Sequence, residues 1–301
     1  MTGHVVKPFA KINLFLKIRR KREDGYHDID TVFQTIDLAD RMEIEFKGSG
    51  ISLECDRRDI PTDEKNLVVR TVLHLRKAGY PVPDLNIKLR KSIPTGSGLG
   101  GGSSDAAALI MGLNRMLRLG MSQQQMSDVA SRIGSDVAFF LWGGTAVGYG
   151  RGEKIFPLAQ LPDFWVALAT SDIKIDTSRA YSKIDALLTE KENNNNITQF
   201  IYSIFKGKPD FSLAENDFER LVSEEHGELK EIRTIFKEKG AVRALLTGSG
   251  SAFYGLFLKR QDAEQAALTV NKMRLCRDCL ICRTMDSIRY HKQLFDRTNL
   301  E

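Results

Sequence analysis

The stretch Pro94–Ala107 reads PTGSGLGGGSSDAA, with five glycines in seven positions: Gly96, Gly98, Gly100, Gly101 and Gly102. Glycine takes positive φ without steric cost and lets a ligand approach bare amides. Ser103, Ser104 and Asp105 follow, types that cap helix N-termini, and then the helix formers Ala106 to Met111. A glycine-rich turn that delivers amides onto a helix N-terminus suits phosphate binding. Other readings compete. A literal GxGxxG stands at Gly96, Gly98 and Gly101, but the dinucleotide fingerprint needs a buried parallel strand before it and an acid about 20 residues on. Here Leu85, Ile87 and Leu89 alternate with Asn86, Lys88 and Arg90, a strand with one wet face, and no acid stands near position 120. A Walker A loop fails because Ser103 follows Gly102 with no lysine between them. A plain flexible loop capped by serines is the third alternative, disfavoured because so many glycines before a helix are costly without a ligand.

The chain has 301 residues, enough for one large or two ordinary domains, and is 42% apolar and 28% charged. A net charge of +5 suits anionic small molecules without requiring nucleic acid. No apolar run reaches the roughly 18 residues of a membrane span, and Lys7, Lys11 and Lys17 interrupt any signal-peptide core, so a cytoplasmic protein away from the membrane is expected. Oligomeric state stays open between monomer and homodimer. Cys276, Cys279 and Cys282 lack a fourth cysteine at 286, where Asp286 stands, and lack nearby histidines, so reduced thiols are expected rather than a cluster or zinc site.

The elements that must position these residues follow from periodicity. Residues 12–18 alternate Ile12, Leu14, Leu16 and Ile18 with Asn13, Phe15 and Lys17, a strand whose opposite face carries Lys11 and Asn13, either solvated or lining a cleft. Arg19 to His27 reads as a wet hairpin tip. Val32–Asp40 and the alternating Met42, Ile44, Phe46 and Ile51, Leu53, Cys55 are expected to continue one antiparallel sheet. Helices are expected over 66–78, from the glycine loop to about Leu117, and up to Gly134. Ser135 and Asp136 then open the apolar segment Val137–Trp142, where a lone acid would ordinarily cap a helix. A domain boundary is placed near Leu158–Pro162, dividing the chain into 1–160 and 161–301. Beyond it come a strand at Phe164–Ala169, a helix from about Ser178 to Leu188, a loop at Asn193–Asn196, and helices at Leu213–Val222 and Leu229–Lys239. Strands Val242–Thr247 and Phe253–Leu258, a helix at Asp262–Met273 and a strand at Leu280–Met285 give a β-β-α-β ending suited to an α+β sandwich. The polar tail from Arg289 has no readable role.

Four blocks now resemble the superfamily of galactokinase, homoserine kinase, mevalonate kinase and phosphomevalonate kinase, the GHMP kinases. They are AKINLFL at 10–16 with DGYHDIDTVFQ at 24–34, GSGLGGGSSDAA at 96–107, GSDVAFFLWGGTAVGYGRGE at 134–153 and TGSGSAFYGLF at 247–257, in family order and spanning nearly the whole chain. The triple glycine and the Gly25–Tyr26–His27 triplet are similar to the branch whose acceptor is a cytidine diphosphate-linked methylerythritol. The resemblance implies an α+β fold: an N-terminal α+β domain with the phosphate loop, a C-terminal ferredoxin-like α+β domain, and a cleft between them. It implies transfer of the ATP γ-phosphate to an alcohol with Mg²⁺, Asp136 acting as general base and Lys11 steadying the alkoxide. It places Asn66, Pro94, Thr95, Gly96, Ser97, Gly98, Leu99, Gly100, Gly101, Gly102, Ser103 and Ser104 on the nucleotide, with Ser103 or Ser104 nearest the metal. Asn13, Tyr26, His27, Tyr181, Gly248, Ser249 and Gly250 fall on the acceptor, with Tyr26 and Tyr181 sandwiching the cytosine. Asn66 serves equally well as a helix N-cap, Tyr181 as core, and Gly248–Ser251 as a plain hairpin turn. Phe9 between Pro8 and Ala10, and Ser97 where a smaller residue is common, depart from the family pattern. A sibling kinase for homoserine or mevalonate is opposed by the Gly25–His27 triplet, and a retired nucleotide-binding regulator by the retention of Lys11 and Asp136.

Overall fold

The structure is a computed structural model that describes residues 4–171, 180–184 and 196–295. Its longest feature is the antiparallel hairpin of β2 (Phe9–Lys21) and β3 (His27–Ala39), which continues through β7 (Thr145–Tyr149) to β8 (Lys154–Pro157) as a sheet ordered β2-β3-β7-β8. Strict alternation along β2 would put Phe15 on the face of Lys11 and Asn13. A register shift between Asn13 and Phe15 breaks that alternation, so Leu14 and Phe15 enter the same core while Lys11 and Asn13 share the other side.

A second sheet is ordered β1-β4-β6-β5, from β1 (His4–Val6), β4 (Arg41–Glu45), β6 (Leu85–Arg90) and β5 (Ile51–Cys55). This corrects the expectation of one continuous antiparallel sheet. β4 and β5 never pair; β6 lies between them, antiparallel to β4 and parallel to β5. A parallel neighbour requires a crossover, and helix α1 (Leu67–Lys77) supplies it. Helix α2 (Gly101–Met116) packs beside α1, with α3 (Gln123–Ile133) and the short α4 (Val137–Phe140) completing the layer. The α2 start also differs from expectation. Its N-cap is Gly100 at φ 72°, so Ser103 and Ser104 lie inside the first turn rather than capping it.

The third sheet is antiparallel and ordered β10-β11-β9-β12, from β10 (Arg243–Leu246), β11 (Phe253–Phe257), β9 (Trp165–Thr170) and β12 (Asp278–Arg283). Helices α8 (Gly227–Glu238) and α9 (Arg260–Lys272) cover one face, the order and layering of a ferredoxin-like α+β unit. Residues 180–184 are helical, which we label α5; the rest of the expected 178–188 helix and positions 193–195 lie outside the described residues. Asn196, expected in a loop, begins α6 (Asn196–Phe205), whose buried Ile197, Phe200 and Ile204 recur at helical spacing. The helix expected at Leu213–Val222 is split into a 3₁₀ turn at Phe211–Leu213 and α7 (Phe218–Glu225). Asn216 sits at the break and spends its amide on Leu246 O, Gly248 O and Phe218 N. The tail also has a role. Residues 287–294 form α10 (Ser287–Leu294), whose fully buried Tyr290 and Leu294 enter the core of α2 and α4. The Tyr290 hydroxyl donates to Phe140 O, and a Cβ at Gly143 would overlap its ring.

Candidate active site

A cleft of about 690 Å³ opens where β2, the glycine loop, the start of α4, the β7–β8 turn and the 248–250 turn converge. Lys11 and Asn13 lie on its floor, 3% and 1% exposed, so their strand face lines a cleft rather than meeting bulk water. The Lys11 Nζ donates to Asn13 Oδ1 at 2.6 Å and stands 3.4 Å from Asp136 Oδ2. Burial pushes the ammonium below its ordinary range, while the Asp136 charge and hydrogen bond oppose that shift. Asp136 stands at the N-cap of α4 but makes no side-chain capping bond. Its carboxylate, about one-third exposed, faces the lysine and the cleft instead.

Asn13 is fixed from all sides. Its Oδ1 also accepts from Gly248 N at 2.9 Å, and its Nδ2 donates to Thr31 Oγ1 at 2.8 Å. Its backbone N–H donates to Thr247 Oγ1, and its carbonyl accepts from the Tyr254 hydroxyl. The Gly248 turn is therefore more than a hairpin connection: it clamps β2. It also abuts the glycine loop so closely that a Cβ on Gly98 would sit 2.0 Å from Thr247 O. Gly248, Ser249 and Gly250 all line the cleft.

The glycine loop is pinned to β2 by the Lys11 N–H bond to Leu99 O, and a Cβ on Gly100 would press on Lys11 Cγ and Phe140. Of the loop residues 94–104, Gly96, Gly98 and Gly100 reach the cleft wall and the others do not. Ser97 Oγ donates to Pro94 O and Leu99 is buried in the core. Gly101, Gly102 and Ser103 occupy the first turn of α2, where backbone N–H groups have no acceptor within the helix. Ser104 is fully buried, its hydroxyl donating to Phe9 O at 2.6 Å and its N–H to Gly100 O. Asn66 caps α1 through its bond from Val68 N and gives its Nδ2 to Pro61 O, and it lies off the cleft wall.

At the far end, Tyr26 is 54% exposed and carries the Arg151 guanidinium 4.9 Å over its ring. Tyr181 stacks on His27 with centroids 4.6 Å apart and meets Phe218 edge-on. The structure thus pairs Tyr181 with His27, not directly with Tyr26. Burial and the nearby Asp136 charge push the Tyr181 hydroxyl up to about 12. Sequence reasoning missed Arg151, Thr247 and Phe218. Arg151 and Thr247 stood inside matched blocks, but nothing local marked Phe218.

The chain is 39% identical to 4-diphosphocytidyl-2-C-methyl-D-erythritol kinase of Caldanaerobacter subterraneus subsp. tengcongensis, over 84% of this chain and 87% of the relative. It is 33% identical to the enzyme of the same name from Syntrophus aciditrophicus, over 87% and 93%. The chain belongs to the 4-diphosphocytidyl-2-C-methyl-D-erythritol kinases. As a member of that family, it is an ATP-dependent phosphotransferase of isoprenoid biosynthesis. Within this kinase, residues 66–144 match the GHMP kinases N terminal domain and residues 206–273 the GHMP kinases C terminal description. A crystal structure of 4-(cytidine 5'-diphospho)-2C-methyl-D-erythritol kinase superposes on it with a TM-score of 0.76 at 32% identity, covering 93% of this chain and 98% of that one. Homoserine kinase from Cytophaga hutchinsonii shares the fold at a TM-score of 0.76 and 16% identity, covering 95% of each chain. No helix among the described residues of this kinase is long and apolar enough to cross a membrane.

Proposed function

We propose that this kinase transfers the ATP γ-phosphate to the 2-hydroxyl of 4-diphosphocytidyl-2-C-methyl-D-erythritol, with Asp136 as general base and Lys11 as the cation that steadies the developing alkoxide. The observation that carries this reading is the buried Lys11 ammonium 3.4 Å from Asp136, against the glycine loop at Gly100. An alcohol needs a positioned acceptor for its proton, and a neighbouring ammonium keeps a carboxylate ionised for that task. The unspent amides of Gly101, Gly102 and Ser103, with the α2 dipole behind them, would hold the phosphates. We read the cleft as an interdomain site, with 1–160 supplying Lys11, Asp136 and the loop and 161–301 supplying Gly248–Gly250, Tyr181 and Phe218.

The residues present also fit Mg²⁺. Mg²⁺ in such a kinase would be carried chiefly by nucleotide oxygens, with few protein ligands. Such an ion neutralises phosphate charge, and Ser103, free of the bond that occupies Ser104, is the hydroxyl on hand to hold it. At the other end Tyr26 is assigned one face of the cytosine, with His27 and Tyr181 as the opposing aromatic wall.

Release of ADP with the cytidine diphosphate acceptor, but not with homoserine or mevalonate, is the expected outcome of a coupled assay; turnover of either alternative in its place would refute the acceptor assignment. Tyr26→Ala should raise the acceptor KM about tenfold or more, the loss expected for one base stack, and leave the ATP KM unchanged. A change confined to ATP would move the cytidine subsite elsewhere. The pH dependence of kcat should report Lys11. Because burial lowers its ionisation, the ammonium is present at low pH and lost as pH rises, so activity should fall on an alkaline limb below the 10.5 of an ordinary lysine. Lys11→Arg, permanently charged, should abolish that limb in whatever activity remains; a limb that persists would assign it to another group.

A further inference from the structure

Behind the glycine loop lies a cluster that the reaction does not touch. Lys91, Asp40 and Asp105 have side chains only 2%, 0% and 3% exposed, and the Lys91 ammonium bonds both carboxylates, Asp105 Oδ2 at 2.6 Å. Asp40 Oδ1 in turn accepts from Ser92 N at 2.6 Å and Ile93 N at 2.8 Å. The three residues come from separate elements: the corner between β3 and β4, the residue directly after β6, and the early part of α2.

A buried ion triad is a poor source of stability, because desolvation offsets most of the attraction and apolar replacements of similar volume are often as stable. Its better-attested use is to fix one geometry among several. Here the geometry it fixes is that of the nucleotide loop. A Cβ on Gly101 would lie 3.3 Å from Lys91 Nζ and 3.1 Å from Ile93 Cγ2, so the first turn of α2 rests on the cluster. Leu99, directly before the Gly100 N-cap, is in turn pinned by Lys11 N–H to its carbonyl.

We propose that Lys91, Asp40 and Asp105 are positioning residues that set the first turn of α2 at the height and angle from which Gly101, Gly102 and Ser103 meet the phosphates. The proposal rests on the reading that this loop holds ATP. Its effect is expected on ATP rather than on cytidine diphosphate, whose assigned residues Tyr26, His27 and Tyr181 lie at the far end of the cleft.

The test is the charge-free, hydrogen-bonding triple variant Asp40→Asn/Lys91→Gln/Asp105→Asn in the full chain. We expect a melting temperature near that of the parent, an ATP KM raised about tenfold with kcat falling alongside, and cytidine diphosphate affinity by calorimetry unchanged. A folded variant with parental ATP KM, or equal losses for ATP and cytidine diphosphate, overturns the proposal. Should the triple variant fail to fold, Asp105→Asn alone keeps the shape and should raise the ATP KM about threefold without altering cytidine diphosphate binding; an unchanged ATP KM overturns it equally. Absence of ATP-dependent turnover in the parent chain would instead sink the functional reading, so the two failures are separable.

Discussion

Asp136→Asn should lower kcat by roughly 10²- to 10⁴-fold, the span expected for loss of a general base, while the ATP KM moves less than about threefold. The asymmetry follows from position. The Asp136 carboxylate faces Lys11 and the cleft, whereas the amides proposed above to hold the nucleotide belong to the first turn of α2. Asparagine matches the volume and can still accept from Lys11, so the floor of the cleft should keep its shape. What disappears is the ability to take a proton at the moment of transfer. Steady-state kinetics at saturating acceptor checks this, and kcat within threefold of the parent would remove Asp136 from the chemistry.

Gly98→Ala should be nearly as damaging, for a different reason. Gly98 sits at φ 79°, and the new Cβ would fall 2.0 Å from the Thr247 carbonyl oxygen, a backbone atom with no rotamer to yield. The glycine loop and the 248–250 turn would have to separate. Asn13 would then lose alignment with Gly248 N and Thr247, and through Asn13 so would Lys11. Displacement of about 1 Å at a reacting centre costs on the order of 100-fold, so kcat/KM should fall by at least that much, with a lower melting temperature. Gly102→Ala is the matched control for stability. That residue is helical and its Cβ would meet only Leu67 Cδ1 at 3.8 Å, so its melting temperature should hold or rise. Equal melting temperatures for the Gly98 and Gly102 variants would contradict the loop-to-loop contact.

Local chemistry made part of this site legible. The glycine loop, the strand bearing Lys11 and Asn13, and the α1, α2 and α3 segments each follow from patterns within about a dozen residues. Asp136 was different: read alone it is an unremarkable cap, and only the resemblance singled it out, while the structure shows that it caps nothing through its side chain. Non-local pairing was invisible. Nothing near β5 says that its partner is β6, some thirty residues on and parallel, and nothing near Leu14 announces the bulge that turns Phe15 inward. Tyr290 read as part of a polar tail because the pocket that buries it is made by Gly143 and Phe140, far away in sequence. Lys91 stood out in no pattern, and Asp105 read as a cap, for the same reason. Their partner Asp40 lies 51 positions before Lys91, across three strands and a helix.

The most direct test is a crystal structure of the chain with a non-hydrolysable ATP analogue and the cytidine diphosphate acceptor bound together. The terminal phosphate should rest on the amides of Gly101, Gly102 and Ser103, with the acceptor hydroxyl within hydrogen-bonding reach of Asp136 and Lys11 alongside. A terminal phosphate bound away from that turn, or an acceptor hydroxyl out of reach of Asp136, would contradict the mechanism at its centre.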